Sequence, residues 1–173
     1  MAPPRGPVYL SVPREPLANM WPKEKRIDQK IQSFPWPTWQ DEFQAAADLH
    51  ISLIEWTLDQ DRLRENPILT EKGQDEINAL TLATNVTVPS LTGDCFMQAP
   101  FFKVYGDERK NLIGELDTVL QCSVDHNLRL VVFPLVDNSS LKHSGELDCL
   151  IDVMLSFEEK LTKSNLKIAF ESD

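Results

Sequence analysis

Carboxylates recur at the ends of the short apolar runs in this chain. Glu55 and Asp59 close SLIEWTL, Asp94 follows VPSLTG, Asp137 follows LRLVVFPLV, and Glu171 and Asp173 follow LKIAF. If those runs are parallel strands, every one of these groups falls on a single rim. Hard oxygen donors of this kind suit Mg²⁺ or Mn²⁺, and added histidine would admit Zn²⁺ or Co²⁺. A positioned carboxyl group can also carry a proton to or from a reacting atom. Trp36, Trp39 and Trp56 stand near the same segments, either as a sugar-binding wall or, more commonly for tryptophan, as packing. Asp94, in TGDCF, either contacts substrate or caps its loop, the cap being the simpler role. Glu55 either lines a pocket or pairs with a basic neighbour. His50 and His126 precede apolar runs, and His143 lies in a loop. Cys95 has no histidine placed beside it by sequence, so nucleophilic catalysis has little support.

The elements that must position these groups follow a regular pattern. The runs at 31–34, 52–58, 86–91, 128–135 and 166–170 read as five strands. The nearly continuous apolar stretch at 128–135 suits a strand buried on both faces, as in parallel sheets. Four helical stripes separate them. Trp39, Phe43, Ala46 and Ala47 form the first, with Thr38 as N-cap. Ile77, Leu80 and Ala83 form the second behind Thr70, with Gly73 as an unfavourable interior residue. Leu112, Leu116, Val119 and Leu120 form the third between Asp107 and Asp125. Leu147, Leu150, Ile151, Met154 and Leu161 form the fourth, behind Ser144. Strands alternating with helices of this length predict βαβ units and a parallel sheet. Residues 1–39 contain eight of the twelve prolines and allow only a short strand at Val8–Val12, with Trp21–Lys30 as a linker. Residues 1–29 are expected to pack loosely. The sequence stops directly after a strand, which suggests a truncated product or a gene fragment.

Bulk properties narrow the classes. A chain of 173 residues with a net charge of −10 can build one core but repels phosphate backbones, so nucleic acid is not an expected partner. Cys95, Cys122 and Cys149 lack metal-ligand spacing and read as reduced thiols of a cytoplasmic protein. No apolar run approaches the roughly 18 residues of a membrane span, and the N-terminus has no signal-peptide core.

Several blocks carry a family resemblance: KIQSFPWPTWQDEF (30–43), IEWTLD (54–59), NPILTEKG (66–73), VPSLTGDCFMQAPF (88–101), LVVFPLVDNSSL (130–141) and KIAFESD (167–173). In order and spacing, residues 30–173 resemble the N-terminal part of xylose isomerase-like (β/α)8 TIM barrels of the sugar phosphate isomerase/epimerase branch. The resemblance covers five of that family's eight strands. It implies an incomplete TIM barrel of about five parallel strands and four helices, with the active site at the C-terminal ends of the strands. It also implies a metal-assisted proton transfer next to a carbonyl. Glu171 matches the family's strand-five glutamate, a metal ligand (Mn, Mg, Co or Zn) and proton-transfer residue. Glu55, Trp56 and Asp94 fall where substrate would bind. The family's remaining ligands come from strands six to eight, so this chain alone is expected to be inactive, to hold no metal and to self-associate through its open edge. Residues Gly6–Ala18, GPVYLSVPREPLA, resemble the end of the pyrimidine-binding domain of thiamine diphosphate enzymes of the acetolactate synthase type.

Other functions are weighed against this one. A phosphodiesterase of the endonuclease IV type would need a histidine-rich cluster and a basic face. A thiamine diphosphate enzyme would need its cofactor-binding domain. A non-catalytic fragment or scaffold that requires a C-terminal half competes directly with the isomerase.

Overall fold

The structure is a computed structural model, and it describes residues 33–172. The chain divides into Met1–Ser33 and Phe34–Asp173, and every element below belongs to the second unit. The expected strand at Val8–Val12, the linker at Trp21–Lys30, the thiamine-enzyme-like segment Gly6–Ala18 and Asp173 lie outside the described residues.

Four strands, β1 (Leu53–Thr57), β2 (Thr87–Thr92), β3 (Leu130–Pro134) and β4 (Lys167–Glu171), form one sheet in the order β1-β2-β3-β4. All three pairings are parallel. The protein is therefore mixed α/β, as the alternating runs predict. Six α-helices accompany the strands among the described residues: α1 (Trp39–Asp48), α2 (Glu71–Thr84), α3 (Asp94–Gln98), α4 (Gly106–Asp125), α5 (Ser144–Ser156) and α6 (Glu158–Ser164). The expectation of four helices missed the short α3 and the break that separates α6 from α5.

The expected first strand, at 31–34, is corrected in its described part. Residues 33–35 carry no strand. The Phe34 N–H donates to Asp59 Oδ2 at 2.7 Å, so a side chain takes the place of a neighbouring strand. The described sheet thus has four strands rather than five.

Consecutive strand order has a simple consequence. Parallel crossovers are right-handed in nearly all cases, so without a reversal of order the connecting helices fall on one side of the sheet. Burial follows that division. Trp56, Leu91, Val131 and Phe133 point to the helices and are buried, whereas Glu55, Ser90, Thr92, Leu130, Val132 and Ala169 alternate to the other face and are not. The core under the helices is aromatic at both ends. Phe34, Trp39 and Trp56 pack with centroids 5.2 and 5.5 Å apart. Phe96 stacks on Phe133 at 4.9 Å.

Local chemistry explains several details. The β1–β2 register shifts between Leu53 and Glu55, with one extra residue on β2. Pro89 lies in that bulge, where a residue without an N–H is tolerated. Thr70 caps α2 by accepting the Gly73 N–H at 3.2 Å. Thr38 precedes α1 but makes no side-chain cap bond. Gly73 is required by packing: a Cβ there would lie 2.3 Å from the Pro67 carbonyl oxygen. The four turns that enter the strands share one device. His50, Asn85, Asn127 and Asn165 each adopt left-handed backbone, with φ between 56° and 59°, two or three residues before a strand.

Candidate functional site

Because all strands run the same way, their C-terminal ends share one edge. Glu55 in β1, Asp59 just beyond it, Asp94 after β2, Asp137 after β3 and Glu171 at the end of β4 belong to that end of the sheet. His50 and His126 precede β1 and β3 and belong to the other end. His126 lines a groove there with Thr87 and Arg129. His143 precedes α5, with Nε2 3.5 Å from Glu146 Oε1.

Asp94 is the centre of the acidic edge. It is the first residue of α3, and the backbone on either side of it is tied to β3 and to the residue that follows β1. The Gly93 N–H donates to the Val132 carbonyl at 2.9 Å, and the Cys95 N–H donates to the Leu58 carbonyl at 2.7 Å. Gly93 must be small, since a Cβ would sit 2.4 Å from the Phe96 ring. The Asp94 side chain is buried. Burial, and then the negative charges of Asp59, Glu171 and Glu55, push its carboxyl up to about 6. Asp94 follows the cap position of α3, which is held by Gly93, a residue with no side chain to cap the helix.

Asp59 is also buried, but it is satisfied. One oxygen accepts the Phe34 N–H, and Oδ1 accepts Gln98 Nε2 at 2.7 Å. Gln98 in turn accepts the Gln60 N–H at 2.7 Å. Gln98 went unrecognised in the sequence because its partners are 38 and 39 residues away. Among the described residues, Glu55 has no basic partner of the kind weighed for it. Its two oxygens accept the hydroxyls of Ser90 at 3.2 Å and Thr92 at 2.6 Å. Glu171 is exposed, and its carbonyl accepts the Leu135 N–H at 2.6 Å. Asp137 is exposed with φ 49°.

Trp56 does not stand beside Glu55. It is buried on the helix-covered face, and its Nε1–H donates to Asn66 Oδ1 at 2.9 Å. The expected substrate contact is therefore replaced by packing against Phe34 and Trp39. Trp36 is partly exposed, with the Arg62 guanidinium 3.9 Å above its ring.

The donor set bears on a metal as well. Among the described residues, no three His, Cys, Asp or Glu side chains are grouped to hold an ion. Glu55 and Asp59 direct their oxygens to hydroxyl and amide donors. The arrangement does not fit a divalent-metal centre, whereas a carboxyl group titrating near 6 among carboxylates fits proton transfer. Cys95 and Cys122 are buried free thiols, and burial pushes Cys122 up to about 11. No helix among the described residues is long and apolar enough to cross a membrane. No protein-family model matches this chain, and no curated protein matches it.

Proposed function

We propose that residues 34–172 are part of a xylose isomerase-like barrel, and that their acidic edge moves a proton next to the carbonyl of a sugar or sugar phosphate. Isomerase and epimerase chemistry of this kind follows from the sequence resemblance. The observation that carries it is Asp94, whose carboxyl is raised to about 6 by burial and by Asp59, Glu171 and Glu55. A group titrating near working pH can serve as both acid and base. Consecutive parallel order with helices on one side also supports the barrel, because the uncovered face then corresponds to a barrel interior.

In this reading protonated Asp94 gives its proton to the carbonyl oxygen while the Glu171 carboxylate takes the proton from the neighbouring carbon. The product is an enediol, and the reverse transfers deliver a proton to the other carbon or the other face. No step passes through a metal, because the described carboxylates do not form a ligand set for one. Full turnover by the family's metal-assisted route would require ligands beyond the described residues.

The test is solvent exchange. Aldoses, ketoses and their phosphates are incubated with the protein in D₂O, and loss of the carbon-bound proton signal is followed by NMR. Exchange that Asp94→Asn and Glu171→Gln each abolish is the expected result. No exchange above the level of those variants with any sugar overturns the reading. The second reading, a non-catalytic scaffold that needs a complementary half, is favoured by the uncovered face around Leu130 and Val132, and it predicts that null result.

A further inference from the structure

β4 ends the described sheet order, so one of its edges has no strand beside it among the described residues. The Lys167 N–H donates to the Arg129 carbonyl, and the Glu171 carbonyl accepts the Leu135 N–H. Residues 167, 169 and 171 therefore turn their backbone groups toward β3. By alternation, Ile168 and Phe170 turn their N–H and carbonyl groups outward.

The sequence of this edge, Lys-Ile-Ala-Phe-Glu, is complementary to itself when reversed. Antiparallel pairing centred on Ala169 sets Lys167 opposite Glu171 of a second copy, and Ile168 opposite Phe170. The backbone phase agrees. Ile168 and Phe170 become the hydrogen-bonded pairs, with four N–H to carbonyl bonds across the axis. Ala169 and the Lys–Glu pairs become the close, non-hydrogen-bonded pairs, where a small residue and opposite charges fit best. Such pairing is isologous and closes as a two-fold dimer.

The covered side of the sheet supplies apolar surface to match. Phe170 is 49% exposed beside Phe133. Leu147, Ile151 and Leu155 of α5, which α6 separates from β4, form an i, i+4, i+8 stripe exposed by 42, 45 and 59%. A two-fold axis perpendicular to the sheet keeps both copies' helices on one side, so each Phe170 ring would lie beside Ile168 of the other copy on the helix-covered face.

We propose that this chain forms a homodimer through antiparallel β4–β4 pairing in the register centred on Ala169. The inference stands apart from the proposed chemistry and rests on the edge itself. Lysine at a sheet edge more often prevents pairing than promotes it, so the experiment separates these roles. Sedimentation equilibrium is measured for the full chain, for Lys167→Glu, for Glu171→Lys and for the double exchange, with circular dichroism checking that each folds. These side chains are exposed on the edge strand, so the fold should survive. The wild-type chain is expected to dimerise, each single reversal to weaken the dimer by about tenfold or more, and the double exchange to restore it. A monomeric wild-type chain, or a dimer indifferent to the single reversals, overturns the proposal. Weakening that the double exchange fails to reverse overturns the register.

Discussion

Gln98 holds Asp59 in place: its Nε2 donates to Asp59 Oδ1 at 2.7 Å while the other Asp59 oxygen takes the Phe34 amide. This joins the loop after β1 to α3 and leaves a buried negative charge beside Asp94. Gln98→Ala should destabilise the fold by about 1–3 kcal/mol, because a buried carboxylate loses a donor. Asp59→Asn should lower the Asp94 pKa, because it removes the charge that raises it most. Urea unfolding and NMR titration of the Asp94 carboxyl measure the two effects.

Asp94 should make stability depend on pH. The unfolded carboxyl loses its proton near 3.8 and the folded one near 6. Ionisation is thus opposed in the folded chain. This group's contribution is fully favourable below about 3.8, declines as pH rises to about 6, and is flat above. Asp94→Asn should therefore stabilise the protein at pH 7 and above, by about 1–2 kcal/mol after allowance for solvent screening. The variant should also flatten the profile across that window. Denaturant titrations from pH 4 to 8 should show no such gain if the charge is not confined.

Gly73 tests the contact between α2 and the turn before it. Alanine normally favours a helix interior over glycine by about 1 kcal/mol. Here the added Cβ meets the backbone of Pro67 at 2.3 Å. The clash should win, with Gly73→Ala destabilising by about 1–3 kcal/mol, read as a lower melting temperature.

The left-handed residues that enter the strands give a paired test. Asn85→Ala should cost about 1 kcal/mol, because alanine lacks asparagine's tolerance for positive φ. His50→Asn should gain about 0.5 kcal/mol by matching the residue type at the other three turns. Thermal unfolding of both variants reads opposite signs.

The alternation of strands and helices was legible because each apolar run is short and each helix has a stripe of core residues. Thr70 could be read as a cap from its position alone. Gly73 could not be explained, because its reason is a contact with Pro67 across a turn. The pairing of Gln98 with Asp59 was hidden for the same reason: sequence distance conceals spatial proximity. Trp56 is different. Neighbours in a strand point to opposite faces, so strand period alone was enough to send the Glu55 and Trp56 side chains to different sides of the sheet. Ile31–Phe34 had the composition of a strand, but at Phe34 the Asp59 carboxylate meets the backbone first.

In this sheet, spatial order equals chain order. Each strand pairs with the one made immediately before it, and no gap is held open for a strand that arrives later. Loop closure is therefore always to an adjacent unit, which keeps the sequence separation of contacts small and favours rapid assembly. A chain emerging from the ribosome could add one strand and its helix at a time, each new unit finding its template already in place.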